Sequence, residues 1–224
     1  MKKMLYAAFA AMILTACTAT AEQDPVEAQI DSIISRMSTR EKVAQLFMIG
    51  VHQDEGLLHW QERCVETEHV GGIIVMGHPL EKALDRIDTL QALATSRQGS
   101  LPLLVATDAE WGASMRFKEF PKWPRQAFIA EAPDSLIYQM GLSVAAELKS
   151  IGIHINFAPV VDVNNNPNNP VIGRRSFGAD KNIVAQKAAA YSAGMLDGGI
   201  ITCAKHFPGH GDTEVDSHKG LPVL

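Results

Sequence analysis

The hydrophobic positions of the chain form two kinds of segment that alternate along it. Between short apolar runs, apolar side chains recur every three or four residues, which is the spacing of one helical face. The pattern predicts helices in these intervals, at 57–68, 80–97, 134–152 and 180–196. It predicts a strand in each of the five almost continuously apolar runs, at 47–51, 72–76, 103–107, 155–161 and 200–204.

Residues typical of helix ends support these assignments. An amphipathic segment at 30–37 predicts a further helix near the N-terminus. Ser38 and Glu41 have the spacing of a capping box, in which each side chain accepts a free backbone N–H of the other residue. Asp134 and Asp180 are candidates to cap the helices that follow them, because a carboxylate accepts hydrogen bonds from the first turn.

Polar residues follow the predicted strands and distinguish two possible architectures. Strands that are apolar along their whole length are typical of a parallel sheet covered by helices on both faces, either an open doubly wound sheet or a closed barrel. No strand precedes a glycine-rich nucleotide-binding motif, whereas Asp108, Asp162 and Lys205-His206 follow three strand ends. A barrel gathers all its strand ends around one pocket. We therefore expect an α/β fold of the TIM-type (β/α)8 barrel.

The predicted barrel is incomplete. A (β/α)8 barrel has eight strands and typically about 250 residues. Only five strands are predicted here, and the sequence stops at Leu224 within the segment that follows the fifth. We expect residues 28–224 to be the first five or so βα units of a barrel domain that is incomplete at its C-terminus.

The first residues have the pattern of an export signal. Lys2-Lys3 precede an apolar segment, 4–14, which is too short for a typical membrane span. The segment Leu14-Thr15-Ala16-Cys17 resembles a bacterial lipoprotein lipobox. The resemblance implies that the protein is held in the bacterial cell envelope, periplasmic or at the outer membrane, with membrane contact only through a lipid.

This interpretation gives the N-terminus three parts. Residues 1–16 are expected to form the signal peptide, Cys17 to carry the lipid, and residues 17–27 to form a tether. An ordinary secretory signal cut near Ala21 is the alternative. Cleavage before Cys17 and lipidation of its thiol would leave two other cysteines, Cys64 on a predicted helix and Cys203 in a predicted strand, where we expect a buried free thiol.

The bulk composition is that of a globular protein without a nucleic-acid surface. Of 224 residues, 46% are hydrophobic and 20% charged, and the net charge of -5 offers no basic footprint for nucleic acid. No disulfide framework or zinc spacing is present.

The segment Lys205–His218 has the greatest density of reactive side chains. Asp216 and His218 are two residues apart, so their side chains can lie on the same side of an extended loop. An aspartate beside a histidine favours one imidazole tautomer and suits proton transfer near neutral pH. Taken alone, the pair is also compatible with a solvated loop. With His206, His210 and Asp212 it could hold a metal, although the spacing fits no zinc pattern, and we expect no metal.

The same segment resembles a family signature. Lys205-His206-Phe207-Pro208-Gly209-His210-Gly211, followed by Asp216-Ser217-His218, is similar to the motif of glycoside hydrolase family 3 in its β-N-acetylhexosaminidase branch. Three further segments match that family in order, from about residue 30 to the end: Asp108–Gly112 with Arg116-Phe117, Asn156–Val163 and Pro170–Gly178. Trp111 departs from the family, which commonly has glycine there, and would either contact sugar or cover the barrel rim.

The resemblance implies a role for each matched residue. His218 would be the general acid/base and Asp216 its partner. The side chains that would bind the sugar, rather than form surface salt bridges, are Asp108, Arg116, Arg175, Lys205 and His206. The family's nucleophile, an aspartate on a later strand, would lie beyond residue 224, and no cofactor is implied.

The implied reaction is hydrolysis of terminal non-reducing β-linked N-acetylglucosamine residues with retention of configuration. The expected substrates are amino-sugar oligosaccharides or peptidoglycan fragments, and a fused C-terminal domain is possible. A β-glucosidase-type exo-glycosidase of the same family is the alternative enzyme, although the Asp-Ser-His motif argues against it. A non-catalytic envelope sugar-binding lipoprotein and a metal-dependent hydrolase are alternatives from other classes. Alone, the chain is expected to be inactive.

Overall fold

A computed structural model describes residues 24–52, 54–77 and 79–223. The predicted signal peptide, the proposed lipid attachment at Cys17 and most of the tether lie outside these residues. Within them, no helix is both long and apolar enough to cross a bilayer.

The chain divides into two compact units, 1–42 and 43–224. The first contains helix α1 (Pro25–Arg36), so the last residues of the predicted tether are helical. Asp24 caps this helix by accepting the Val26 N–H at 2.8 Å. The capping box is confirmed: the Ser38 N–H donates to Glu41 at 2.9 Å and the Glu41 N–H to Ser38 at 3.2 Å. Helix α2 (Thr39–Ala44) begins there.

The second unit is a parallel sheet with strand order β1-β2-β3-β4-β5. A doubly wound sheet reverses its strand order at a switch point, so this uninterrupted order confirms the barrel-type α/β fold. The strands are β1 (Met48–Val51), β2 (Gly72–Val75), β3 (Leu104–Thr107), β4 (Ile155–Asn156) and β5 (Ile201–Thr202). The helices are α3 (Glu55–Glu66), α4 (Leu80–Ala94), α5 (Asp134–Ser150) and α6 (Lys181–Asp197).

Strands β4 and β5 are shorter than predicted, with two residues each. The ladder stops after Asn156 and Thr202, and Pro159, which has no N–H to donate, lies in the gap that follows. The ladder resumes as an isolated parallel bridge between Val160 and Lys205, in which the Val161 N–H donates to the Lys205 carbonyl at 2.7 Å. This bridge aligns the segments that leave β4 and β5.

The sheet packs on its helices through a continuous apolar core that includes Ile73, Val105, Val144, Leu148 and Met195. The prediction that the strands are buried on both faces is wrong for two side chains of the observed strands, because Leu104 is 46% exposed and Ile201 is 51% exposed. Phe47 and Met76, which the predicted strands included, are also exposed.

The predicted buried thiol is also wrong, because Cys203 is exposed. Cys203 follows β5, which pairs with β4 alone among the described strands, so that side of the sheet is uncovered. Cys64 lies on α3 as predicted and is half-buried.

Helices α5 and α6 approach each other closely at two glycines. A Cβ on Gly141 would lie 2.3 Å from the Tyr191 carbonyl oxygen, and one on Gly194 would lie 2.1 Å from that of Tyr138. Helix α5 connects β3 to β4 and helix α6 connects β4 to β5. The two glycines therefore let the helices that connect three consecutive strands pack with their backbones in contact.

The predicted caps of these two helices differ in outcome. Asp180 caps α6 by accepting the Asn182 N–H at 2.7 Å. Asp134 does not cap α5, because it is the first helical residue, preceded by Pro133. Its carboxylate instead binds the Lys187 ammonium of α6 at 2.6 Å.

Candidate active site

The segments that follow β3, β4 and β5 meet at the carboxyl end of the sheet. Asp108 comes directly after β3 and binds two cations there. Its Oδ2 lies 2.9 Å from Arg116 Nη2, and its Oδ1 lies 2.6 Å from Lys205 Nζ. Asp108 and Lys205, 97 positions apart in sequence, are thus in contact as part of one polar cluster.

Glu110 is the centre of this cluster, and sequence reasoning did not single it out. Its carboxylate receives two hydrogen bonds from Arg175, at 2.9 and 2.8 Å, and lies 2.9 Å from Lys205 Nζ. The side chain is only 3% exposed. Burial alone would raise the pKa of Glu110, but the hydrogen bonds from Arg175 and the charge of Lys205 outweigh it and lower that pKa. The only sequence signal was its position two residues after Asp108.

Asp162 holds the histidine that follows Lys205. Its Oδ2 lies 2.6 Å from His206 Nδ1, and its Oδ1 accepts the His210 backbone N–H at 2.6 Å. A carboxylate accepts, so His206 carries a hydrogen on Nδ1. The other ring nitrogen of His206 lies 3.4 Å from Arg175 Nη2. Burial alone would raise the pKa of Asp162, but the hydrogen bonds from His206 and His210 lower it.

Two asparagines fix the backbone around the cluster. The buried Asn156 accepts the Ala109 N–H at 2.9 Å and donates to the Ala109 carbonyl at 3.2 Å, which holds the residue between Asp108 and Glu110. Asn169 donates to the carbonyls of His210 and Thr213, at 2.6 and 2.9 Å.

Asn169 also accepts the Val171 and Ile172 N–H groups, at 2.9 and 2.7 Å. It thereby ties the arginine-bearing segment that follows β4 to the motif that follows β5. His210 is buried in that motif, with Nδ1 against the Thr213 hydroxyl.

The Asp216–His218 pair is formed but stands apart from the cluster. Asp216 Oδ1 lies 2.8 Å from His218 Nδ1 and accepts the His218 backbone N–H at 2.9 Å. The backbone N–H and then the ring of His218 lower the pKa of Asp216. The His218 side chain is 84% exposed. Among the described residues, no hydrogen bond or ion pair joins the pair to Asp108, Glu110 or Asp162.

A cavity of about 450 Å³ opens beside the cluster. Asp162 and His206 form part of its wall, together with Phe207, Pro208 and Asp212. Its volume falls within the range of about 300–1,000 Å³ that small-molecule sites occupy. Within the described part of the chain, no group of three histidine, cysteine or acidic side chains is arranged to hold a metal ion.

The cluster has the chemistry of a site for a neutral polyol. Its carboxylates Asp108, Glu110 and Asp162 face the cations Arg116, Arg175 and Lys205, so its formal charges balance. Paired charges hold each other in place while their remaining lone pairs and N–H groups stay available to hydroxyls.

Comparison with known proteins extends this description. The family model for the glycosyl hydrolase family 3 N terminal domain matches residues 38–224. The chain is 35% identical over 187 residues to the beta-hexosaminidase LpqI of Mycobacterium tuberculosis (strain ATCC 25618 / H37Rv), a match that covers 82% of the chain and 46% of that protein. It is 32% identical over 207 residues to the beta-N-acetylglucosaminidase/beta-glucosidase of Cellulomonas fimi, covering 92% of the chain and 35% of that protein.

A solved structure is similar over most of the chain. The glycoside hydrolase family 3 beta-N-acetylglucosaminidase from Paenibacillus sp. str. FPU-7 superposes with a TM-score of 0.74 at 34% identity, over 84% of the chain and 36% of that protein. In each of the three comparisons, the chain spans less than half the length of its relative.

Proposed function

Because the chain belongs to glycosyl hydrolase family 3, as the match over residues 38–224 shows, we propose that it supplies the sugar-binding part of a β-N-acetylhexosaminidase. The membership confirms the resemblance described above. The proposed reaction is the removal of terminal non-reducing β-linked N-acetylglucosamine from amino-sugar oligosaccharides or peptidoglycan fragments. A relative named beta-hexosaminidase supports this choice over others within the family.

The single observation that carries the proposal is the charge-balanced cluster at the strand ends. Lys205 Nζ bridges Asp108 at 2.6 Å and Glu110 at 2.9 Å, and Glu110 in turn holds Arg175. Charge-assisted hydrogen bonds are short and directional. We assign Asp108, Arg116, Arg175, Lys205 and His206 to the hydroxyls of one terminal sugar.

In the proposed mechanism His218 protonates the glycosidic oxygen as the bond to the anomeric carbon breaks. Asp216 stabilises the imidazolium while it carries the proton. A carboxylate nucleophile attacks the anomeric carbon and forms a glycosyl-enzyme bond. His218 then removes a proton from the water that hydrolyses this bond and releases the sugar. Asp108, Glu110 and Asp162 are each engaged by a cation or an imidazole in the cluster, and we assign the nucleophile, as the family resemblance implies, to an aspartate on a later strand.

A β-glucosidase-type activity is the second candidate, and one observation favours it. The relative from Cellulomonas fimi is named for both activities. The two candidates differ in the group that the pocket must accept at the second carbon of the sugar. A hexosaminidase accepts an N-acetyl group there, and a glucosidase accepts only a hydroxyl.

The test uses the natural gene product that contains this chain. Hydrolysis of 4-nitrophenyl β-N-acetylglucosaminide and of the matching β-glucoside is compared by kcat/KM. We expect the N-acetylglucosaminide to be cleaved at least about tenfold faster, the selectivity of one well-made polar contact. Faster glucoside cleavage would reject the hexosaminidase assignment, and turnover of neither substrate would favour a sugar-binding lipoprotein.

The cell-envelope location stays a proposal based on residues 1–17. Its test is metabolic labelling with a fatty acid, in which the natural protein should take up label and the Cys17→Ala variant should not. Equal labelling of the two proteins would remove Cys17 as the site.

A further inference from the structure

Three backbone carbonyls of the motif that follows β5 accept hydrogen bonds from asparagine side chains. Asn169 donates to the carbonyls of His210 and Thr213, at 2.6 and 2.9 Å. Asn166 donates to the carbonyl of Asp212 at 2.9 Å. Both asparagines belong to the segment that follows β4, and we call these two residues the asparagine clamp.

The oxygen end of the Asn169 amide holds the arginine-bearing segment. Its Oδ1 accepts the N–H groups of Val171 and Ile172, at 2.9 and 2.7 Å. The Ile172 carbonyl accepts the Arg175 backbone N–H at 2.8 Å, and the Val171 carbonyl accepts Arg175 Nη1 at 3.3 Å. The two ends of one side chain therefore bind different segments: the oxygen binds residues that hold Arg175, and the nitrogen binds the motif that follows β5.

Thr213 is the last residue of the motif with a hydrogen bond to another segment of the described chain. The hydrogen bonds that residues 214–223 form with described residues all lie within that stretch. The Asp216 carbonyl accepts two N–H groups of the turn that follows it, at 2.8 and 3.1 Å, and its carboxylate binds His218. The Asp216–His218 pair therefore lies on an internally bonded turn, and the clamp holds the residue where that turn joins the rest of the molecule.

The first half of the motif has a support of its own. Asp162 accepts the His210 backbone N–H at 2.6 Å, and its other oxygen lies 2.6 Å from His206 Nδ1. These contacts do not involve the clamp, so His206 keeps its partner when the clamp is removed. Loss of the clamp should therefore release Thr213 and the turn beyond it, rather than the side chains proposed to bind the sugar.

We propose that the asparagine clamp, and Asn169 above all, positions His218 for proton transfer. The clamp holds the base of the loop that carries this histidine, and so determines where the imidazole lies relative to the sugar. The inference rests on the proposed function, which gives His218 the role of acid/base. Asn169 is a positioning residue, because it acts on the loop through Thr213 and not on the substrate.

The variant Asn169→Asp separates the two ends of the side chain. A carboxylate still accepts the two N–H groups of the arginine-bearing segment, but it cannot donate to the carbonyls of His210 and Thr213 and repels them. The matched control is Asn168→Asp, which makes the same change one residue earlier. The Asn168 side chain is exposed and forms no hydrogen bond with the described residues.

The natural gene product and its variants are compared by kcat/KM on two aryl N-acetylglucosaminides. Phenol needs protonation as it leaves, whereas 4-nitrophenol does not. Asn169→Asp should lower kcat/KM for the phenyl glycoside by roughly tenfold to a hundredfold, the effect of two lost hydrogen bonds. For the 4-nitrophenyl glycoside the loss should stay below about threefold. Asn168→Asp should change neither value.

Three further measurements distinguish positioning from a general loss of structure. The dissociation constant of N-acetylglucosamine, measured by calorimetry, should stay within about twofold of the natural value in Asn169→Asp. In a His218→Ala background, Asn169→Asp should cost less than about twofold on the phenyl glycoside, because residues that act as a unit lose their effect together. Asn166→Asp loses only the bond to Asp212, and should lower the phenyl value by roughly threefold to tenfold even if Asn169→Asp fails to fold.

The outcomes separate this inference from the proposed function. Equal losses on the two glycosides, or a loss that persists in the His218→Ala background, overturn the inference and leave Asn169 a structural residue. Weaker binding of N-acetylglucosamine with an unchanged leaving-group dependence also overturns it, because Asn169 would then act through Arg175. In these cases the natural protein still hydrolyses both glycosides, and the proposed reaction stands. Hydrolysis of neither glycoside by the natural protein rejects the proposed reaction, and the role of Asn169 with it.

Discussion

The polar cluster and the Asp216–His218 pair are both built from acidic and basic side chains, yet their surroundings differ sharply. Glu110 is 3% exposed and holds two cations, whereas His218 is 84% exposed and, among the described residues, is held by Asp216 alone. Ion pairs in low-dielectric surroundings resist salt and motion, while exposed pairs contribute little.

Under the proposed function, the two sites would have two tasks that make different structural demands. Groups that recognise a sugar must be in place before it arrives, because ordering them on binding would cost affinity. A group that transfers a proton must instead change its charge during the reaction. A buried, fully paired histidine would resist that change, and His218 is neither.

Removal of the proposed acid/base should give the largest effect. In the natural gene product, His218→Ala should lower kcat by about 10²–10⁴-fold for poor leaving groups, the usual contribution of general acid catalysis. The loss should be much smaller for nitrophenol, which leaves without protonation. The matched control is His59→Ala, because the His59 side chain is 96% exposed and lies on α3, away from the loop that carries His218. Equal rates for His218→Ala and the natural protein would remove His218 from the mechanism.

Loss of the Glu110 carboxylate at the centre of the cluster should have the second-largest effect. Glu110→Gln removes the carboxylate that pairs with Arg175, while Lys205 keeps only Asp108, and breaking a buried pair in this way costs about 3–5 kcal/mol. We expect a lower free energy of unfolding in urea and a raised KM. The exposed Glu81→Gln on α4 supplies the control. An unchanged KM in a folded Glu110→Gln protein would contradict the proposed positioning of Arg175.

Asp162→Asn should have an intermediate effect. It weakens the hydrogen bond that orients His206, and hydrogen bonds to charged groups contribute about 1.5–3 kcal/mol. Since His206 is proposed to bind sugar in the ground state, KM should rise by roughly tenfold or more while kcat changes less. A variant that loses kcat with an unchanged KM would place His206 in the chemical step instead.

Lowering the pH should destabilise the polar cluster more than the Asp216–His218 pair. This is the smallest of the four expected effects. The pKa values of Glu110 and Asp162 are lowered in the folded state. Their contribution to stability is therefore complete above the ordinary carboxyl range, about pH 4, and is lost as the pH falls through the lowered values. Urea unfolding from pH 7 to pH 3 should show this loss, and Glu110→Gln should reduce it. Asp216→Asn should change the profile less than Glu110→Gln, because the partner that lowers the pKa of Asp216 is His218, whose side chain is 84% exposed.

The sequence predicted the fold and part of the site for identifiable reasons. Strand and helix positions follow from local apolar spacing, and Asp108, Arg175 and Lys205 were found because they lie in motifs of the family. Glu110 was missed because its partner Arg175 lies 65 positions away, and no local pattern connects them.

Cys203 was placed wrongly because burial depends on what covers a strand. An apolar run indicates a strand that is suited to burial, but it carries no information about neighbouring strands. In the structure β5 pairs only with β4 among the described strands, and Cys203 is exposed beside it.

The glycine contact between α5 and α6 has a consequence for engineering. The residues that would bind the sugar lie on segments at the strand ends, whereas Gly141 and Gly194 lie in the helix layer, where they allow two backbones to touch. Substitutions at the strand ends can change which side chains contact the sugar. A methyl group added at either glycine would instead push the two helices apart and lower the stability of the fold, without altering any residue that lines the site.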